Sequence, residues 1–103
     1  MNSKMKQINV LYDDDFEDVD ILLVPDDIAL HIDDVTQQFI KWLNIPENRC
    51  RFLILNGSGN QVLGVDTEEF LWWLNHIKIL DEQKASIVCQ HTKYINTLPT
   101  AEF

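Results

Sequence analysis

The chain has 103 residues and a formal net charge of −9, with 46% hydrophobic and 24% charged residues. This length is enough for one domain with one core, and the hydrophobic content is too high for an intrinsically disordered chain. Such acidity argues against nucleic acid or an anionic membrane as a direct ligand and favours a basic protein as the partner. We therefore expect a single domain over residues 1–103, with a loose tail from about residue 96.

The first third of the chain is predicted to form strands. Ile8–Tyr12 alternates enough for one strand, and Val19–Val24 is a nearly continuous apolar strand stopped by Pro25. The acidic stretch Asp13–Asp18 connects them. In residues 28–32, large aliphatic side chains alternate with alanine and histidine, which favours a further short strand, with a helical turn as the alternative.

A helix and a hairpin are predicted next. Asp33 or Asp34 can cap a helix that runs to about Leu43, because its apolar residues recur on one face. Arg51–Leu55 and Gln61–Val65 then have the composition of two strands, and the glycine-containing turn between them is typical of a β-hairpin.

The last part of the chain is predicted to form a helix and a strand. Asp66 and Glu69 have the spacing of a capping box at the start of a helix from about Thr67 to Ile79. Ser86–His91 is the final predicted strand. The fold class expected from this order is α+β, a mainly antiparallel sheet of four to five strands with two helices packed on it.

The segment from Asp13 to Asp34 is the most biased part of the sequence. It holds ten carboxylates in twenty-two residues, and the nearest lysines or arginines on either side are Lys6 and Lys41. Like charges this close repel each other by about 1 kcal/mol per pair at 4 Å in water, so the cluster weakens the fold that carries it. A coherent negative field raises the association rate with a basic partner, whereas the alternative is a solvated face that serves solubility alone.

No complete catalytic or metal-binding motif is present. Asp13, Asp15 and Glu17 have the alternate spacing of a calcium-binding loop, but Asp18 stands where the loop needs glycine. Val24 stands where a bidentate glutamate is required. We therefore predict that the protein is not an enzyme and that it holds no cofactor or metal.

The two cysteines do not suggest a disulfide framework. Cys50 and Cys89 lack zinc-site spacing, and both fall near predicted strands, so we expect small buried side chains. The lysines of Met1–Gln7 are not followed by an apolar run of signal-peptide length, and Ile21–Val24 is too short for a membrane span. These features predict a cytoplasmic protein with free thiols and no membrane contact.

Trp72 and Trp73 are adjacent on the predicted second helix. Neighbouring side chains on a helix point about 100° apart, so both cannot face the centre of the core. We expect one at the rim. An exposed tryptophan beside acidic residues is typical of a protein-interface hot spot, and half-buried packing is the alternative.

A small acidic α+β domain with this charged segment and no assembled active site resembles the immunity proteins of bacterial toxin systems, especially those of contact-dependent growth inhibition. The resemblance lies in size, charge and architecture over the whole chain. It implies an immunity protein that neutralises a cognate basic nuclease toxin domain by covering its active site or its nucleic-acid surface. Such toxins are commonly an RNase or a DNase, and the expectation here is an RNase, with tRNA as a candidate substrate. The free protein would be a monomer or a weak dimer.

If the resemblance holds, the acidic side chains replace the phosphates that the toxin otherwise binds, and a tryptophan anchor slows dissociation. Two alternatives stay open: an acidic DNA mimic or regulatory protein-binding module, and a small metal-dependent enzyme. The partner-binding residues expected on this basis are Asp13, Asp14, Asp15, Glu17, Asp18, Asp20, Asp26, Asp27 and Trp72.

Overall fold

The computed structural model describes residues 4–12, 14–50, 53–55, 57–63, 66–80, 82 and 84–103, with the backbone alone described at 53–55 and 61–63. The strands are β1 (Met5–Leu11), β2 (Val19–Pro25), β3 (Leu53–Leu55), β4 (Gln61–Leu63), β5 (Ser86–Thr92) and β6 (Thr100–Glu102). The helices are α1 (Asp26–Leu30), α2 (Ile32–Leu43), α3 (Pro46–Arg49) and α4 (Thr67–Trp73), and α4 continues into a π-helical turn, Leu74–Lys78.

The main sheet has four strands in the order β5-β2-β1-β6. β2 is antiparallel to both β1 and β5, whereas β6 is parallel to β1. β3 and β4 form a separate antiparallel hairpin. The predicted α+β class is confirmed, and the sheet is mixed because of the parallel pair at its β6 edge.

Most of β2 and the part of β1 from Ile8 onward are buried on both faces of the sheet, which explains the nearly continuous apolar sequence of β2. One face packs through residues such as Leu22 and Val24 against the helices, whose aromatic side chains Phe39, Phe70 and Trp73 fill the core. On the other face a smaller cluster of Leu11, Val19 and Ile21 is covered by Tyr94 and Leu98. The segment 93–99 therefore covers this face of the sheet, as the helices cover the opposite face.

Asn9 holds that covering segment in place. Its side chain is fully buried on β1, where Nδ2 donates to the carbonyl oxygen of Ile95 at 2.8 Å and Oδ1 accepts from the Ile95 N–H at 3.1 Å. The same Nδ2 lies 3.3 Å from Oγ1 of Thr100. A buried amide is stable here because both of its ends are hydrogen-bonded.

The strand expected at residues 28–32 is wrong, because α1 occupies Asp26–Leu30 and α2 begins at Ile32. Pro25 ends β2 and directly precedes α1, and two acidic residues lie in the first turn of α1, where the helix dipole favours them. The helical turn leaves Leu30 74% exposed, whereas Ile28 is buried, so the apparent alternation did not define one face. Asp33 and Asp34 lie in the first turn of α2 and do not cap it.

The loose tail expected from about residue 96 is also wrong. Thr100–Glu102 pairs with β1, and Ala101 is fully buried. The ring of Phe103 stacks on Tyr12 with centroids 5.2 Å apart and meets Phe70 edge-on at 5.1 Å. This end of the chain is thus part of the core.

The other predicted elements differ from the structure mainly at their ends. The hairpin is present as β3 and β4, and the predicted positions 51, 52, 64 and 65 lie outside the described residues. The second helix is α-helical only to Trp73, after which the π-helical turn extends it to Lys78. Cys50 and Cys89 are both exposed, so their expected burial is wrong. Cys89 lies on β5, most of whose side chains are exposed.

Candidate functional site

The acidic segment does not form one continuous surface, because β2 divides it. Asp20 lies near the start of β2 and Asp26 directly follows its end, so about 20 Å of extended chain separates them. We call Asp14, Asp15, Glu17, Asp18 and Asp20 the loop-end carboxylates, and Asp26, Asp27, Asp33 and Asp34 the helix-end carboxylates. Asp13 lies outside the described residues.

The turn between β1 and β2 presents most of the loop-end carboxylates to solvent. The N–H of Asp15 donates to the carbonyl oxygen of Tyr12 at 3.0 Å, and Oδ1 of Asp15 accepts from the N–H of Glu17 at 3.2 Å. Asp14 has a φ of 56°, a left-handed conformation that aspartate and asparagine adopt more readily than most residues. The aspartates therefore shape the turn as well as charging it.

A cleft of about 290 Å³ collects carboxylates from three parts of the chain. Asp15 and Asp18 come from the turn, Asp20 from β2, and Asp66 from the N-cap of α4. The sequence indicated Asp66 as a helix cap, and nothing in the local pattern indicated that it would face the loop-end carboxylates. The other lining residues are Tyr12, Gln90 and His91.

Asp66 is held by the capping box that the sequence predicted. Its Oδ1 accepts from the N–H of Glu68 at 2.9 Å, while its own N–H donates to Oε2 of Glu69 at 3.0 Å. Burial of the Glu69 carboxyl, together with its side-chain hydrogen bond to Asp66, raises its pKa from 4.5 to about 7. Glu69 is consequently a carboxyl that changes its charge near neutral pH, one helical turn from the cleft.

Tyr12 contributes an uncharged wall to the cleft. Burial raises the pKa of its hydroxyl above the usual value of 10, and nearby carboxylates, including Asp66 and Asp20, add to the effect. The side chain is therefore neutral at physiological pH, and the negative charge of the cleft comes from its aspartates.

His91 is a further residue of the cleft that the sequence did not identify. Its Nδ1 lies 2.8 Å from Oδ1 of Asp18, and its backbone N–H donates to Oδ1 of Asp20 at 3.0 Å. The hydrogen bond and the negative charge of Asp18 raise the pKa of His91 above its usual value of 6.5. A separation of 73 residues between the two partners explains why no sequence spacing could predict the pair.

Cations that are distant in sequence offset part of the acidic charge. Lys93 lies 3.8 Å from Glu17, and Lys6 forms a 3.1 Å ion pair with Asp26. Both pairs are exposed, so each is worth about 0–1 kcal/mol and leaves most of the local field in place. The charge imbalance read from the sequence is therefore reduced in the folded protein but not cancelled.

Trp72 does not line the acidic cleft, and the sequence alone could not define its position on the surface. Trp73 is buried at 3% exposure, whereas Trp72 is half-buried. The Trp72 ring stacks on His76 with centroids 4.6 Å apart and lies 6.1 Å from the ring of Trp42. These neighbours place it on the aromatic surface where α4 meets α2.

No group of three or more His, Cys, Asp or Glu side chains among the described residues is arranged to hold a metal ion. Within the same part of the chain, every helix is too short or too polar to cross a lipid bilayer. Comparison with protein-family models, with curated proteins and with solved structures finds no match.

Proposed function

We propose that this protein is a cytoplasmic immunity protein that binds a basic nuclease toxin domain through its loop-end carboxylates and Asp66. The observation that carries the proposal is the convergence of four carboxylates, from the β1–β2 turn, β2 and the α4 cap, on one cleft. The role of the protein would be to bind and cover, not to catalyse.

Electrostatics gives this arrangement a physical advantage for capture. Each additional carboxylate on the same surface strengthens a field that attracts a cationic partner, and such steering raises association rates toward about 10⁸ to 10⁹ M⁻¹s⁻¹ at low salt. A nuclease must carry cationic groups where it binds phosphates. Carboxylates fixed by a hydrogen-bonded turn and a helix cap suit the role of replacing those phosphates.

The helix-end carboxylates and Trp72 are secondary candidates for the interface. A partner that contacts both ends of β2 must span about 20 Å, which is within the width of a domain of about 100 residues. If the partner reaches the aromatic surface beside α2, contact with Trp72 would lower the dissociation rate of the complex.

The partner can be identified by affinity pull-down from the source bacterium, first at low salt and then at moderate salt. Recovery of a toxin fragment whose nuclease activity is suppressed in the complex would support immunity, as would a toxin gene directly upstream. Recovery of a DNA-binding regulator would favour the DNA-mimic alternative. If only generic cationic proteins appear, and moderate salt removes all of them, the proposal fails.

The site is tested with two variants that remove equal charge from opposite ends of β2. Asp14→Asn, Glu17→Gln and Asp18→Asn together neutralise the loop end, and asparagine suits the left-handed φ at position 14. We expect this variant to weaken toxin binding about ten- to a hundredfold at low salt, equivalent to about 1.4–2.8 kcal/mol. Surface plasmon resonance would show the change mainly in the association rate.

The matched control neutralises three exposed helix-end carboxylates, Asp27→Asn, Asp33→Asn and Asp34→Asn. We expect this control to lose much less affinity than the loop-end variant. Equal losses would mean that net charge alone matters and would contradict the assigned surface. Circular dichroism should confirm that both variants fold, because Asp33 and Asp34 also favour the start of α2.

A further inference from the structure

The main sheet ends on one side in a long strand that has no neighbour among the described residues. β5 is the outermost strand next to β2 and spans seven residues, whereas the opposite edge strand, β6, spans three. Most side chains of β5 are exposed, and Val88 is 46% exposed. The free edge of β5 is thus the more accessible of the two edges.

Such an edge carries backbone groups that can pair with another chain. Alternate N–H and C=O groups of β5 point away from β2, and an extended peptide can bind them as an additional strand. Each backbone hydrogen bond formed in this way makes a modest net contribution to binding. A strand-shaped segment of a partner therefore gains affinity here without a deep pocket.

The geometry of β5 does not favour pairing with an arbitrary strand. Its register with β2 shifts twice, on either side of Ile21, and His91 has a φ of 56°. Bulges of this kind increase the local twist and are a common protection of edge strands against aggregation. An occupant must consequently bring another source of affinity.

Charge supplies that source at one end of the strand. Gln90 and His91 of β5 line the acidic cleft, and the N–H of His91 is bonded to Asp20. A strand laid along β5 would lie about 10 Å from β2, so a long lysine or arginine side chain at this end would extend past His91 toward Asp18 and Asp20, which both bond to His91. Further along, the added strand would lie beside the exposed Val88. A second copy of this chain is a poor occupant, because its net charge of −9 would repel the first.

We propose that β5 accepts an extended basic segment of the partner as a fifth strand of the main sheet, with lysine or arginine side chains beside the loop-end carboxylates. This inference rests on the proposed function and adds to it the conformation and chemistry of the bound segment. The partner would combine backbone pairing on β5 with ion pairs at the cleft.

Two synthetic peptides test the proposal on the intact protein. The probe is a capped peptide of about eight residues in which lysine and valine alternate. The control replaces each valine with proline, which keeps the positive charge and an extended shape but removes half of the backbone donors and disfavours strand pairing. We expect the probe to bind at least about tenfold more tightly than the control, as measured by NMR titration.

Hydrogen exchange provides the second readout. The outward N–H groups of Ser86–Thr92 should exchange several-fold more slowly when the lysine–valine peptide is bound, and the proline peptide should leave their exchange unchanged. Equal affinity for the two peptides, no binding of the probe, or unchanged exchange in β5 would each overturn the proposal.

The loop-end variant distinguishes this inference from the proposed function. Neutralising Asp14, Glu17 and Asp18 should lower the affinity for both peptides by a similar factor. The ratio of the two affinities should stay the same, because it depends on strand pairing and not on charge. If the two peptides bind equally well and both lose affinity in the variant, strand addition is overturned, whereas the proposed role of the acidic surface is supported. If the lysine–valine peptide still binds more tightly than the proline peptide but neither loses affinity in the variant, the role of the loop-end carboxylates is contradicted.

Discussion

At the scale of single residues, two groups with raised pKa values, Glu69 and His91, lie in or next to the acidic cleft. Glu69 has its pKa raised to about 7, and the pKa of His91 is raised by Asp18. As pH rises, Glu69 loses a proton and becomes negative, whereas His91 loses a proton and becomes neutral. Both changes make this end of the molecule more negative as pH rises.

Glu69 should make the folded protein less stable as pH increases. Because its pKa is about 7 in the folded state and 4.5 ordinarily, the folded state holds more protons between these values. The free energy of unfolding therefore decreases as pH rises from about 4.5 to 7. Glu69→Gln keeps an oxygen acceptor for the cap and should remove this decrease, as urea unfolding at pH 5 and pH 8 would show.

Glu68→Gln is the matched control, because Glu68 is exposed in the same helical turn. It should retain the pH dependence of the parent protein. If Glu69→Gln and the parent lose stability equally between pH 5 and pH 8, the raised pKa of Glu69 is not the cause.

The His91 pair should be visible by NMR. Since Asp18 raises the pKa of His91, Asp18→Asn should lower that pKa toward 6.5, and the ring resonances would report it directly. The pair stabilises the fold below about pH 6.5, and this contribution disappears as pH rises through the folded pKa. Asp27→Asn at the other end of β2 is the control and should leave the His91 titration in place.

At the scale of elements, local patterns were predictable and long-range pairings were not. The capping box at Asp66 and Glu69 was predicted correctly, because its residues are three apart and the interaction is complete within one turn. The strand predicted at 28–32 failed, since an alternation of aliphatic residues over only five positions fits a helical turn equally well. β6 was missed because its pairing with β1 joins residues about ninety positions apart.

The covering segment 93–99 should depend on one amide. Asn9→Ala would leave the N–H and C=O of Ile95 without their partner beneath the segment. We expect a loss of about 2–4 kcal/mol in the free energy of unfolding, together with faster hydrogen exchange at Ile95.

Gln7→Ala is the control for Asn9→Ala, because Gln7 lies on the same strand with an exposed side chain. Its cost should stay within about 0.5 kcal/mol. Comparable losses in the two variants would mean that the segment is held by packing of Tyr94 and Leu98 and not by Asn9.

At the scale of the whole molecule, the folded chain separates charges that the sequence presents as one run. β2 places the loop-end and helix-end carboxylates at opposite ends, and Lys93 and Lys6 bring one cation to each. The size of the acidic bias was readable from composition. Its division was not, because it depends on which part of the run becomes a buried strand and where distant lysines fold back.

This distribution of charge predicts that moderate salt stabilises the free protein. The same salt should weaken the proposed complex with a basic toxin domain. Screening reduces repulsion among the carboxylates of an acidic chain, so the melting temperature should rise as sodium chloride is added. The loop-end variant should show a smaller rise than the parent protein, because less repulsion remains to be screened. A melting temperature that falls with salt would indicate that the exposed ion pairs outweigh the repulsion.

The parallel pairing of β1 with β6 has a consequence for synthesis of the protein. β1 can pair early with β2, which follows it closely in the chain, but its other side has no partner until residues 100–102 have been translated. Until then the buried positions of β1 and the cavity for Phe103 face water or another chain. This side of the sheet therefore closes only once residues 100–102 are available, and a nascent chain that stalls before them is exposed to misassembly along the open side.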